Sequence, residues 1–422
     1  MANLRSIAGV VAGGALVISV GLGIRQTFGL YIGPIAGEHL VTVGLLSLAI
    51  ALQNLVWGIA QPFAGALTDR FGPAPVVAGG AVLYALGILS VALRPDALAI
   101  VAGFGILVGL GQAAMTFAVV ISSVSRAADA TQRATAVALA AAGGSLGQVA
   151  LVPIAQVAID HAGFRTALFV MAAVALAAAP VGLALRRDRL RANASIPDAS
   201  TRGTTGSSTI STAGPSTTGP SASTGAAIRA ALRDPNFVLL TAGFFACGYQ
   251  LAFMGVHLPG YLVACHIGAN VAAASLATIG FFNVIGSFAF GRAADRVPPQ
   301  KLLAGLYAVR ASATVVYLVV PVSALSTLVF AVVMGLTWLG TVPLTNAVIA
   351  RLHGLPNLGA LFGVCFVGHQ LGGFLGALSG GLSLQLTGSY WPVWIATVVV
   401  GYAAALLNVP IRFAPRTAPV AA

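Results

Sequence analysis

Gly65-Ala-Leu-Thr-Asp69-Arg70-Phe-Gly72 closes one long apolar run, and Gly291-Arg-Ala-Ala-Asp295-Arg296-Val-Pro298 closes another, with the two aspartates 226 positions apart (295 − 69). Outward from the first copy, apolar runs bounded by charge, proline or loop residues fall at 6–33, 43–66, 74–93, 97–121, 133–159 and 165–185. Outward from the second they fall at 236–263, 271–292, 301–321, 324–349, 358–386 and 391–411. A helix needs about 20 apolar residues to cross a bilayer, and each run has enough. The repeat therefore sits at the end of the second run in each of two sets of six.

Composition agrees. Hydrophobic residues make up 58% of the chain and charged residues 7%, against roughly 25% charged in a soluble domain. In water such a chain would expose apolar patches large enough to aggregate. The 51 glycines suit membrane helices, whose backbones approach closely where side chains are small. The expected fold is all-α and integral to the membrane: twelve transmembrane helices in two pseudo-symmetric six-helix bundles, residues 1–185 and 236–422. Between them, 186–235 reads as a disordered cytoplasmic linker. Its middle, Ser195 to Ala226, is rich in Ser, Thr, Gly and Pro and has too little apolar surface to offset the entropy of ordering.

Charge sets the expected orientation. Arg5, Arg70, Arg126, Arg133, the seven arginines of the linker region, Arg292, Arg296, Lys301, Arg351, Arg412 and Arg416 share one side, 17 of the 21 basic residues. Arg94 and Arg165 take the other. By the positive-inside rule both termini are cytoplasmic, and a bacterial inner membrane is the expected location. The net charge of +12 is spread over short loops with no basic stripe of the kind that binds nucleic acid. The run Arg186, Arg187, Arg189, Arg191 reads as the flank of a span. Cys247, Cys265 and Cys365 lie in or beside apolar runs without metal or disulfide spacing. No P-loop occurs, and Gly103–Gly111 lies inside an apolar run with no strand before it, so neither an enzyme nor an ATP-driven pump is read here. No cofactor is expected, and the chain reads as a monomer.

The pattern G-x-x-x-D-R-x-G after the second run, echoed after the eighth, resembles the signature loop of the major facilitator superfamily. The second copy departs from it at Pro298, and the basic residues that usually close the motif are missing after Gly72. The resemblance implies secondary transport by rocking of the two bundles. Asp69 with Arg70, and Asp295 with Arg296, would then gate the cytoplasmic seam. The alternative for Asp69 and Arg70 is that they cap a tight turn.

All nine acids, Glu38, Asp69, Asp96, Asp129, Asp160, Asp188, Asp198, Asp234 and Asp295, fall in loops, in the linker or at span ends. Arg25 and Arg310 fall inside spans, where an arginine costs about 2.5–3.5 kcal/mol to insert. With no membrane carboxylate to pair them, the simplest partner is an anion from solution, and a planar carboxylate fits the guanidinium fork. Each has a second reading: Arg25 snorkels outward from its span or binds backbone carbonyls of a broken helix, and Arg310 braces a neighbouring helix. His257 and His369 are the obvious mid-span groups for taking up a proton, or they are packing residues. Gln26, Asn54, Gln112, Asn283, Trp338 and Gln370 complete the polar candidates for a central cavity. Pro153 and Pro343 are expected to kink their helices.

Arg25-Gln-Thr-Phe-Gly29, His257-Leu-Pro-Gly-Tyr261, Tyr307-Ala-Val-Arg310 and His369-Gln-Leu-Gly372 resemble stretches of bacterial carriers of the monocarboxylate and oxalate/formate group. That group commonly carries a substrate arginine in the eighth span, which here offers Asn283 and Ser287 instead. The resemblance implies a small organic anion, a monocarboxylate, moved by proton symport or anion exchange, with Arg25 or Arg310 as its anchor. Rival readings are a proton-driven exporter of neutral drug-like compounds and a non-transporting sensor on the same fold.

Overall fold

The computed structural model describes residues 2–38, 41–129, 132–186, 224–354 and 357–413. Among these, eleven helices are long and apolar enough to cross a membrane. One of them, Thr135–Val181, runs for 47 residues. At 1.5 Å per residue that is about 70 Å, more than twice the hydrocarbon thickness. Gly163, at φ 76°, breaks it where no side chain has to enter the left-handed region. The two arms are the fifth and sixth crossings, so the expected twelve are present.

The crossings in order are Ile7–Gly37, Val43–Phe71, Pro73–Leu93, Ala97–Ala127, the arms 135–162 and 164–181, Pro235–Ala264, Ala269–Ala293, Pro299–Val319, Ala324–His353, Leu358–Thr387 and Trp391–Asn408. They are called the first to the twelfth span below. Local chemistry marks their ends. Pro73, Pro235 and Pro299 occupy first helical positions, where a missing N–H costs nothing. Asp234 and Thr42 accept from Asn236 N and Leu45 N. Gly72, which ends the quoted motif, sits at φ 87° and turns the chain directly from the second span into the third.

The outside of the bundle is apolar, with Phe63 67%, Phe288 75% and Leu386 78% exposed, as lipid requires. The inside holds the polar side chains. An even number of crossings puts both termini at one face, here the terminal face; the other is the distal face. Within each bundle the first span packs on the fifth and the seventh on the eleventh. The bundles meet along two antiparallel seams, the second span against the eleventh and the fifth against the eighth.

The linker reading over 187–223 lies outside the described residues. At its end the structure corrects it: Thr224–Arg233 forms a helix that packs on the seventh and eleventh spans. Thr224 Oγ1 donates to Asn357 Oδ1 at 3.2 Å. Half-buried Ala227 and Ile228 with the buried Ala231 give this short stretch an apolar side that composition averaged over the linker conceals.

Three spans are broken near mid-membrane. The first breaks at Gln26–Thr27, the fourth at Thr116 and the tenth at Trp338–Gly340. Irregular backbone is tolerated at this depth only when other groups take up its hydrogen bonds. Gln61 Oε1 accepts from Ala118 N at 3.1 Å. In the other half, Asn283 Oδ1 accepts from Leu339 N at 2.9 Å. Gln61 and Asn283 lie 222 positions apart (283 − 61), as do the broken residues Thr116 and Trp338 (338 − 116). The halves repeat in their irregularities as well as in their helices.

Candidate functional site

A cavity of about 70 Å³ lies between the halves near mid-membrane. At roughly 10–15 Å³ per water that is room for about five waters or one small solute. Arg25, Gln26, Asn54, Asn283, Trp338 and His369, all expected from sequence, line it. It is also lined by Ser145, Gln148 and the aromatics Trp57, Phe117, Phe244 and Phe366, which sequence reasoning did not single out.

Arg25 stands where the first span breaks. Its NH1 donates to Gln26 Oε1 at 3.2 Å and its NH2 to Asn54 Oδ1 at 2.6 Å. Its guanidinium lies 5.4 Å from the Trp57 ring centroid. Its Nε is buried and has no hydrogen-bond partner. The ion pairs among the described residues lie at span ends: Arg94–Asp96, Arg126–Asp69, Arg165–Glu38 and His353–Asp234. Arg25 is thus held by neutral amide oxygens and an aromatic face, with its positive charge bordering the cavity.

Polar contacts spread from it. Gln26 Nε2 donates to Gln148 Oε1 at 3.1 Å, and Gln148 Nε2 to Leu276 O at 2.6 Å. Asn283 Nδ2 donates to Ser145 Oγ at 2.7 Å. His369 Nδ1 lies 2.9 Å from Gln370 Oε1, whose acceptor oxygen assigns the hydrogen to Nδ1 and leaves Nε2 as the basic nitrogen of the neutral ring. Phe366 stacks on the His369 ring at 5.7 Å, and Phe244 meets it at 4.7 Å. Gln370 itself stands one layer behind, its Nε2 donating to Asn54 O at 3.1 Å.

Three more expected residues, besides Gln370, lie away from the cavity. Arg310 is fully buried, and its fork is taken up within the second half. NH1 donates to Gln250 Oε1 at 3.2 Å, while NH2 donates to Thr337 O and to Trp338 O. Those carbonyls belong to the break in the tenth span, so here Arg310 braces that break, and its NH1 and NH2 are engaged within the second half and not at the cavity. His257 is also removed from the cavity. Its Nε2 lies 2.7 Å from Ala377 O, and its ring packs between Phe253 and Tyr390. Gln112 accepts from Gln53 Nε2 at 2.8 Å and ties the fourth span to the second.

The Arg310 geometry carries a prediction. Arg310→Met leaves Thr337 O, Trp338 O and Gln250 Oε1 without their donor in apolar surroundings, at about 1–3 kcal/mol for each unsatisfied group. The detergent-solubilised variant is expected to unfold at a clearly lower temperature than the parent. Arg25→Gln, at a residue that lines the cavity, is expected to unfold at nearly the parent temperature. Equal melting of all three proteins would refute the brace.

At the terminal face Asp69 Oδ1 accepts from Arg126 NH1 at 3.1 Å, within the first half. Arg351 NH2 donates to Ala294 O at 3.4 Å, within the second. The Arg70 guanidinium lies over the Phe71 ring at 5.1 Å, and Asp295 and Arg296 are exposed. At the distal face the halves touch closely. A Cβ on Gly29 would stand 2.6 Å from Gly255 O and 2.7 Å from Val256 O, and the Ser47 side chain fills the notch left by Gly381. The distal seam is shut.

Comparison with known proteins gives the chain a family. The model for the Major Facilitator Superfamily matches residues 7–377. An uncharacterised major-facilitator-type transporter of Bacillus subtilis, YcxA, is 25% identical over 406 residues, 93% of each chain. Human monocarboxylate transporter 11 is 29% identical over 395 residues, 90% of this chain and 78% of that one. A bacterial homolog of the human lysosomal transporter Spinster, solved in an inward-facing and occupied conformation, superposes with a TM-score of 0.70 at 14% identity. It covers 97% of this chain and 99% of that one, a likeness of fold.

Proposed function

The chain belongs to the major facilitator superfamily of membrane transporters, and we propose that its cargo is a small organic anion, a monocarboxylate first. It is a multi-pass membrane protein and a transporter, not an enzyme. The observation that carries the reading is Arg25: a mid-membrane guanidinium bordering the cavity, bonded to amide oxygens of Gln26 and Asn54. A carboxylate entering the cavity would replace two neutral acceptors with a charged one, adding ion–ion attraction in a low-dielectric site and the bidentate geometry that suits the guanidinium fork. The monocarboxylate transporter among the relatives points the same way.

In this reading the bundles 1–185 and 236–422, joined by the linker 186–235, rock about the cavity. With cytoplasmic termini in a bacterial inner membrane, the shut distal seam makes this the inward-facing state. Asp69, Arg70, Asp295 and Arg296 would rearrange at the terminal face when that side closes. His369 is the group for proton linkage, because it lines the cavity that Arg25 also lines, while its Nδ1 is held by Gln370. The protein works as a monomer. The aromatic lining of Trp57, Phe117, Phe244 and Phe366 favours a second reading, in which neutral aromatic compounds are exported.

Uptake into proteoliposomes of labelled formate, pyruvate, lactate, oxalate and short branched acids, with and without an inward proton gradient, tests the proposal. Saturable uptake of a carboxylate is expected. Dependence on the gradient means symport, and trans-stimulation without it means exchange. A carrier that moves none of these acids, yet moves a neutral aromatic compound, would sink the anion reading.

A further inference from the structure

Two glutamines cross between the halves, and they are symmetry mates. Gln148 of the fifth span donates through Nε2 to Leu276 O of the eighth. Gln370 of the eleventh span donates through Nε2 to Asn54 O of the second. Each lies in a notch on the opposite half. A Cβ on Gly280 would stand 3.0 Å from Gln148 Cγ and 3.1 Å from its Cβ, and one on Gly58 would stand 2.8 Å from both Cβ and Cγ of Gln370. Glutamine, carbonyl and notch are each offset by 222 positions (370 − 148, 276 − 54, 280 − 58). One device is thus built twice, once into each seam.

Both copies connect to Arg25. In the first, donors run in one direction, from Arg25 NH1 to Gln26 Oε1, from Gln26 Nε2 to Gln148 Oε1, and from Gln148 Nε2 across the seam to Leu276 O. Chains of this kind polarise one another, so weakening the first bond weakens the last. In the second, Arg25 NH2 holds the Asn54 side chain, and Gln370 bonds the carbonyl of that same residue while accepting from His369. The two carbonyls belong to helical residues, whose acceptors keep a helix partner, so releasing a glutamine orphans no acceptor.

We propose that Gln148 and Gln370 are paired latches that hold the distal seam shut in the anion-free carrier. Both are positioning residues. Resting on the reading of Arg25 as the anion anchor, the inference adds how the latches are released. A carboxylate takes the two NH groups that now fix Gln26 and Asn54, both latches lose their support, and the loaded carrier opens distally. The empty carrier stays latched. A carrier of this design exchanges anion for anion faster than it returns empty.

The first arm of the test needs no substrate. With Cys247→Ser, Cys265→Ser and Cys365→Ser removing the native thiols, Ser47→Cys places a reporter in the shut distal seam. Maleimide labelling of the reconstituted protein then reads distal opening. Labelling is expected to be slow in this parent and about tenfold faster with either Gln148→Leu or Gln370→Leu. Gly280→Ala and Gly58→Ala, which displace the glutamines without deleting a polar group, are expected to do the same and serve where a leucine variant misfolds. Saturating pyruvate should speed labelling of the parent and add little in the variants. Labelling that none of the four substitutions accelerates overturns the latches. Faster labelling in the variants, with neither pyruvate nor any acid of the uptake panel affecting the parent, upholds the latches and refutes the anion reading.

Discussion

Arg25→Gln is expected to abolish saturable carboxylate uptake, lowering kcat/KM by about a hundredfold to a thousandfold in a protein that still folds. Removing one partner of a buried, hydrogen-bonded charge pair costs about 2–5 kcal/mol, and each 1.4 kcal/mol is a factor of ten. The substituted amide keeps donors for Gln26 Oε1 and Asn54 Oδ1, which now accept from the guanidinium, so the cavity wall has no reason to collapse. Arg25→Lys separates charge from shape. An ammonium retains the charge but loses the planar fork and its stacking on Trp57, so a partial loss of about tenfold is expected. Initial uptake rates of the three proteins at matched reconstitution decide the matter. Wild-type rates in Arg25→Gln would remove the guanidinium from the transport path.

Arg25 and Arg310 look alike in sequence: each is a mid-span arginine with no acid in reach. What separates them is which groups the fold brings to the fork. Around Arg310 these are the carbonyls of Thr337 and Trp338, released where the tenth span breaks, three residues or so before Pro343. Pro343 announced a break, because it cannot donate to the preceding turn. That the ninth span would lie beside the break is a fact of packing, invisible in one helix's sequence. His257 and Gln112 lie away from the cavity for a reason of the same kind: a polar residue inside a span faces protein, but sequence does not say whether that protein is a neighbouring helix or a cavity.

The fold itself was legible because lipid imposes one rule on every span, a long apolar run, and because the quoted motif repeats in register. The helix Thr224–Arg233 was not, since composition was averaged over a longer polar stretch. Gln148 was missed although a signal existed. It follows the small residues Gly143, Gly144 and Ser145, where little draws the eye, yet it stands 222 positions before Gln370 (370 − 148), a residue that was picked out. Testing each candidate for a partner in the other half would have found it.

Gly29→Val is expected to stop transport, by about a hundredfold or more, and to do so without touching the cavity. Gly29 meets the backbone oxygens of Gly255 and Val256 across the distal seam, at 2.6 Å and 2.7 Å from where its Cβ would stand. A side-chain tip could swing aside, but these are helix carbonyls, and they move only if the seventh span moves. Overpacking typically costs about 1–3 kcal/mol even where side chains give way, and at 1.4 kcal/mol per factor of ten the upper figure depletes the distally shut state by roughly 150-fold. Since that state must form once in every cycle, the rate falls by a similar factor. Gly33, about one turn on, faces open space, so Gly33→Ala is the control and is expected to transport normally. The same maleimide reporter at Ser47 separates a wedged carrier from a misfolded one: in Gly29→Val it should label rapidly with or without anion. Normal uptake by Gly29→Val would mean that the distal seam never closes to this distance during transport, and that the shut seam is not a step of the cycle.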